Sequence, residues 1–135
     1  MTTVRTTHDA FHLAIPTHDL DAAYRFYVEG LGVKLARRYA DRITLDFFGD
    51  QVVCHLSEDW DRDPVLYPRH FGVTFRHRED WERLLRLART RGLSFFAEPF
   101  HRFAGRAEEH ESFVLADPSN NLLEFKYYDD PQMIY

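Results

Sequence analysis

The chain carries eight histidines in 135 residues, and three of them stand at matching places in its sequence pattern. His12 and His70 each open an alternating apolar segment, and His55 lies in the segment that closes the first half of the chain. Glu124 lies in the segment that closes the second half. Imidazole and carboxylate are good ligands for Fe(II), Mn, Co, Ni or Zn. Two or three histidines with one carboxylate are typical of a catalytic metal site that keeps a position open for substrate.

The elements that must position these residues follow a pattern that occurs twice. In each half, an alternating strand leads into an amphipathic helix that ends at a glycine, and three more strands follow. Residues 12–32 align with residues 70–92, and such a repeat predicts two βαβββ modules packed together in an α+β fold. We place both modules in one domain: module one at about residues 10–56, a linker at 57–69, module two at about 70–128 and a tail at 129–135.

Strand parity predicts which side chains share a face, because successive side chains point to opposite sides of a sheet. The bulky apolar residues of the opening strands should pack under the helices, which sends His12 and His70 to the helix-free faces. The same reasoning places His55 and Glu124 on the helix-free faces of the closing strands. The small residue Gly72 should leave room for a bound object. We expect two curved sheets to enclose a cleft that contains the metal.

Other polar residues are candidates with a structural alternative. His110 is expected on the helix-free face, where it either handles protons or is purely structural, and Tyr128 either binds substrate or ends a strand. His55 either binds the metal or lines the pocket. Arg102 and Arg106 either guard the cleft or belong to a solvated loop. The remaining histidines lie in termini, caps or loops and are expected to be solvated: His8, His18, His77 and His101.

Composition and charge exclude several function classes. The chain has 17 Lys and Arg against 22 Asp and Glu, which gives a net charge of −5. We therefore expect no sequence-independent binding to nucleic acid. No apolar run approaches the roughly 20 residues that span a bilayer. The single cysteine, Cys54, cannot form an intramolecular disulfide and is expected in the core. We therefore predict a cytoplasmic protein that binds a small-molecule substrate. We also predict a homodimer, with each cleft built from one chain or from two.

Four segments carry a further signal: residues 11–15 (FHLAI), 19–27 (DLDAAYRFY) with Leu31 and Gly32, 70–73 (HFGV) and 116–125 (ADPSNNLLEF). Together they resemble the vicinal oxygen chelate superfamily, which groups glyoxalase I, extradiol dioxygenases and the bleomycin and fosfomycin resistance proteins. The resemblance extends from Phe11 to about Tyr128. It implies paired βαβββ modules with a divalent metal in the cleft. It also places four residues on the usual ligand positions: His12, His55, His70 and Glu124.

The resemblance implies three functions. The leading one is a metal-dependent dioxygenase of the extradiol type acting on vicinal oxygens, since those enzymes use two histidines and one glutamate, with His110 as a proton carrier. The alternative is a Lewis-acid enzyme of the glyoxalase, lyase or epimerase kind, in which Glu124 or a metal-bound hydroxide abstracts a carbon-bound proton. Glyoxalase-like sites usually carry glutamate where this chain has His55. The third is a resistance-type binding protein without chemistry, which predicts no stoichiometric metal.

Overall fold

The computed structural model describes residues 4–135, which form two compact units, the first ending at Trp60 and the second beginning at Asp61. Each unit contains one four-stranded mixed sheet and one α-helix in the order βαβββ. The predicted α+β fold with two βαβββ modules is confirmed. Within residues 4–135, the helices are too short or too polar to cross a bilayer.

The first unit builds its sheet in the order β1-β4-β3-β2, with β1 and β4 parallel and the other pairs antiparallel. Its helix begins at an N-cap aspartate, Asp19, whose Oδ1 accepts from the amides of Asp21 and Ala22. The Ala22 amide is the main cause that lowers the pKa of this carboxyl. The elements are β1 (His12–Thr17), α1 (Leu20–Tyr24) continued by a π-helix (Arg25–Gly30), β2 (Lys34–Arg38), β3 (Arg42–Phe47) and β4 (Asp50–Leu56).

The second unit repeats this arrangement with strand order β5-β8-β7-β6 and a parallel β5–β8 pair. Its helix ends at Gly92, whose φ of 66° is the left-handed conformation that glycine adopts without strain. The elements are β5 (Phe71–Phe75), α2 (Arg78–Thr90), β6 (Phe95–Arg102), β7 (His110–Ala116), β8 (Leu122–Tyr128) and a 3-10 helix (Pro131–Ile134).

Trp81 fixes which face of the second sheet packs under α2. Its indole N–H donates to the carbonyl of Phe125 at 2.8 Å, and its ring lies 5.5 Å from that of Phe113 and 5.1 Å from that of Tyr127. Phe113, Phe125 and Tyr127 alternate along β7 and β8 with side chains on the other face of the sheet, as the sequence pattern predicts. We call the side opposite α2 the helix-free face, and its members on β7 and β8 are His110, Ser112, Val114, Ala116, Leu122, Glu124, Lys126 and Tyr128.

β6 departs from the sequence-based expectation of a strand over residues 93–98 followed by a loop from residue 100. The strand instead continues through Pro99 to Arg102. Its pairing with β7 shifts register between Ala97 and Phe100. β6 is an edge strand, and edge strands with bulges tolerate a proline because its missing N–H removes no ladder hydrogen bond.

Tyr127 gives the fold a measurable alkaline pH dependence. Burial, together with hydrogen bonding of its hydroxyl to Glu111 Oε1 at 2.9 Å, raises the pKa of Tyr127 to about 12. Because the folded state favours the neutral phenol, this contribution is complete below about pH 10 and is lost as the pH rises towards 12. We predict that the parent protein loses on the order of 2 kcal/mol over this range relative to Tyr127→Phe. Urea unfolding of both proteins checks this, and parallel pH profiles would contradict it.

Candidate metal centre

The second unit brings His70 and Glu124 together. His70 Nε2 lies 3.1 Å from Glu124 Oε1, and the glutamate side chain is only 8% exposed. His70 Nδ1 lies 2.7 Å from the carbonyl oxygen of Leu66, which can only accept, so Nδ1 carries the proton. In the neutral ring, Nε2 then presents its lone pair to a carboxylate oxygen. Two electron-pair donors at this distance are stabilised by a cation between them, and the donor set therefore fits a divalent metal ion.

Gly72 allows the main chain at Glu124 to approach β5. The two residues are partners in the parallel β5–β8 pair. A Cβ atom on Gly72 would lie 1.8 Å from the carbonyl oxygen of Glu124. The expectation that Gly72 leaves room for a bound object is therefore corrected, because the main chain of Glu124 occupies that space. A glycine inside an alternating strand is the sequence signal for such a close approach.

In the first unit, His12 is oriented by Gln51, a residue that the sequence reasoning did not single out. The two are partners across the parallel β1–β4 pair, and His12 Nδ1 lies 2.6 Å from Gln51 Oε1. Because the amide oxygen accepts, Nδ1 donates and Nε2 keeps a lone pair, as in His70. Oriented histidines of this kind are typical of metal ligands, whose other ring nitrogen donates to a carbonyl or carboxylate oxygen.

His55 is not brought to His12 by the strand pairing. On β4 it lies opposite Pro16 and Arg42, four positions beyond Gln51. Four residues span about 13 Å along a strand. His55 is also exposed. We therefore leave His55 out of the metal centre that we propose below.

His110 and Tyr128 lie further along the helix-free face of the second sheet. They are partners across β7 and β8, with ring centres 4.9 Å apart, and His110 is only 5% exposed. His110 Nδ1 lies 2.9 Å from the carbonyl of Glu108, which leaves Nε2 unprotonated in the neutral ring. Their pair is four positions from the pair that Glu124 forms with Val114, about 13 Å along the strand. This separation sets them apart from the His70–Glu124 pair.

The two loop arginines differ in their surroundings. Arg102 ends β6, donates to the hydroxyl of Tyr67 and is half-buried, whereas Arg106 is exposed. The Tyr67 ring lies edge-on to His70, with centres 5.7 Å apart. Arg102 is therefore connected through one aromatic ring to His70, and it is not a solvated loop residue.

Two histidines that we expected to be solvated have partners. His18 stacks on Trp60 at 4.6 Å, and His101 Nε2 bonds to Glu109, which lowers the pKa of that carboxyl. His101, Glu109 and Asp129 offer ligand atoms within 4.8 Å of one another, the one group of this kind in the described part of the chain. His8 and His77 are exposed, as expected.

A comparison with protein families assigns the chain to a superfamily. A family model described as the Glyoxalase/Bleomycin resistance protein/Dioxygenase superfamily matches residues 10–125. The chain belongs to this superfamily. A search of curated proteins finds no significant match.

Solved structures extend the comparison of this superfamily member. A glyoxalase/bleomycin resistance protein/dioxygenase from Alicyclobacillus acidocaldarius is 62% identical, with a TM-score of 0.94, over 98% of this chain and 100% of that chain. A fosfomycin resistance protein from Listeria monocytogenes is 12% identical, with a TM-score of 0.71, over 93% and 97%. A lactoylglutathione lyase from Agrobacterium tumefaciens is 14% identical, with a TM-score of 0.68, over 88% and 92%. The last two share the fold, and at this identity they carry no assignment of activity.

Proposed function

We propose that this superfamily member is a divalent-metal-dependent enzyme that acts on a small molecule with two adjacent oxygen atoms. The observation that carries the proposal is the 3.1 Å distance between His70 Nε2 and Glu124 Oε1, with His70 Nδ1 held by the Leu66 carbonyl. His12 is the further ligand that the sequence predicts, and Gln51 fixes its tautomer in the way that Leu66 fixes that of His70. The resulting donor set is two imidazoles and one carboxylate.

This donor set favours chemistry of the extradiol dioxygenase type. Two histidines and one carboxylate with open positions are the ligand set of non-haem Fe(II) oxygenases. A bound Fe(II) would supply a positive charge for the ionised substrate oxygens and a position for O₂. The protein's own contribution is to orient the ligands: the Leu66 carbonyl and the Gln51 amide hold the two rings, and burial keeps the Glu124 carboxylate in place.

His110 and Tyr128 are the proposed substrate-contacting residues. His110 holds its Nδ1 proton on the Glu108 carbonyl, so Nε2 is the atom that would take up or return a proton. Tyr128 packs against the same ring and orients it. Because they lie four positions from Glu124 along the strand, we propose that they contact the part of the substrate remote from the ion.

A substrate screen with controlled metal and oxygen tests this function. The protein, purified without a metal-binding tag, is reconstituted anaerobically with Fe(II), Co(II), Ni(II) or Zn(II) and offered aromatic vicinal diols and α-hydroxycarbonyl compounds. We expect one metal per chain and uptake of one O₂ per diol with Fe(II) only. Oxygen-independent turnover with Co(II), Ni(II) or Zn(II) would instead establish the Lewis-acid alternative. Absence of stoichiometric metal binding would leave the binding-protein alternative.

The expected homodimer and cytoplasmic location remain predictions from the sequence. The dimer follows from the need of each module to cover its helix-free face. Sedimentation equilibrium measures the oligomeric state directly, and a monomer at micromolar concentration would contradict it.

A further inference from the structure

Ser112 and Lys126 face each other beside the His70–Glu124 pair. They are partners across β7 and β8 on the helix-free face of the second sheet. Lys126 follows Glu124 by two residues, and two residues span about 7 Å along a strand. The Ser112–Lys126 pair is therefore the next pair along this face from the Val114–Glu124 pair.

The Ser112 hydroxyl is buried and lacks a hydrogen-bond partner. The residue is 0% exposed, and within residues 4–135 its Oγ is the one buried side-chain nitrogen or oxygen atom without a partner. A buried hydroxyl in this state is destabilising until it forms a hydrogen bond. Because nearly all buried polar groups in folded proteins are paired, an isolated exception calls for a specific partner.

Lys126 is half-buried, and within residues 4–135 it forms no ion pair. Of the 17 Lys and Arg residues, three are half-buried, and these are Arg42, Arg102 and Lys126. Arg42 forms an ion pair with Asp41 at 2.7 Å, whereas in the described part of the chain Arg102 and Lys126 form none. The Lys126 ammonium lies instead 5.2 Å from the ring centre of Tyr128. Partly desolvated cations without a counter-charge attract anions more strongly than exposed ones do.

The nearest acidic residue on the same strand face as Lys126 is Glu124. It lies against His70, and the metal ion of the proposed centre would compensate its negative charge. Arg102 lies opposite His110 in the β6–β7 pair, one step further along the face, with its guanidinium over the Phe103 ring. The helix-free face therefore carries the metal pair, then Lys126 with Ser112, then Arg102.

We propose that Ser112 and Lys126 form a subsite for an oxyanion group of the substrate, flanked by Arg102. The serine hydroxyl donates one hydrogen bond and the lysine ammonium donates a charge-assisted one, the stronger type. The inference rests on the proposed function, because it assigns the substrate of that same centre to molecules that carry a phosphoryl or carboxylate group next to the reacting oxygens.

Inorganic phosphate is the probe that tests the subsite. Calorimetric titrations at constant ionic strength use metal-stripped full-length protein, and then the same protein loaded with Co(II). We expect one phosphate per chain, and about tenfold or greater weakening in Lys126→Met. Lys34→Met is the matched control, because it removes the only other lysine of the chain. Lys34 is exposed on β2, and its substitution should leave the affinity for phosphate unchanged. Equal weakening in both variants, or no phosphate binding, would overturn the subsite.

Ser112→Ala separates a binding role from a structural one. Removing an unpaired buried hydroxyl should leave the melting temperature unchanged or raise it, while phosphate affinity falls severalfold. A lower melting temperature with unchanged phosphate affinity would mean that the hydroxyl is structural. Co(II) and phosphate titrations of the parent protein keep the two proposals distinct. Co(II) binding by the parent protein without phosphate binding would remove only the subsite, and phosphate binding without Co(II) binding would remove only the metal centre.

Discussion

Glu124→Gln is expected to lower the affinity for Co(II) by more than 100-fold while the protein stays folded. The substitution keeps the shape of a buried side chain and removes the negative charge that faces His70 Nε2. Loss of a residue that only orients a ligand costs about 10–100-fold in metal affinity, so loss of a direct ligand should cost more. His70→Ala should have the same effect. Titration of metal-stripped protein, followed by the visible spectrum of bound Co(II), measures both.

His55→Ala is the matched control for these variants. It removes an imidazole from the first unit that the β1–β4 register separates from His12 by four positions. The affinity for Co(II) should stay within about twofold of the parent value. If His55→Ala weakened binding as much as His70→Ala does, His55 would return to the ligand set. If Glu124→Gln bound Co(II) as tightly as the parent protein, the centre as proposed would be wrong.

The sequence predicts faces well because the face of a side chain is a local property. Alternation within one strand separates Phe113 and Phe125 from Glu124, and contacts with Trp81 confirm the side on which the aromatic residues pack. The helix ends are equally local, since Gly92 stands where a left-handed residue is required. The α+β repeat follows from such short-range signals.

Strand register is not a local property, because it depends on pairing between distant segments. The sequence therefore does not predict which residue of β4 lies opposite His12. Parity places Gln51 and His55 on the same face of β4, and nothing within that strand says which of them is opposite His12. The pairing of β1 with β4 settles it in favour of Gln51, through main-chain contacts between segments 39 residues apart. A histidine is the more conspicuous residue for metal chemistry, and for that reason the amide was overlooked.

Hydrogen bonding of individual side chains is a second property that the sequence does not predict. Strand parity places Ser112 on the face that carries His110, but an unsatisfied hydroxyl is visible only once every neighbouring donor and acceptor has a position. Pro99 is similar: proline ends most strands, and only its place at a register shift on an edge strand explains why β6 continues past it.

Gly72→Ala is expected to destabilise the protein and to weaken metal binding at the same time. The added Cβ would lie 1.8 Å from the carbonyl oxygen and 2.7 Å from the carbonyl carbon of Glu124, so β5 and β8 must separate. Overpacking of this kind costs about 3 kcal/mol, and here the displaced atoms are main chain, which cannot rotate away. For a chain of this length the melting temperature should fall by about 10 °C. The separation also moves Glu124 relative to His70, so the affinity for Co(II) should fall together with the melting temperature.

Gly105→Ala is the control for Gly72→Ala. It shows whether the loss of stability and of Co(II) affinity comes from the close approach of the main chain or from the loss of a glycine alone. Gly105 has a φ of +80° and no atom within 4 Å of an added Cβ, so alanine there meets backbone strain alone, about 1–2 kcal/mol. It should lower the melting temperature by less than Gly72→Ala and leave Co(II) binding intact. Equal losses of stability in Gly72→Ala and Gly105→Ala would mean that the effect at Gly72 comes from the backbone preference of glycine and not from the clash with Glu124. Retained Co(II) affinity in Gly72→Ala would show that the position of Glu124 does not depend on the approach of the two strands.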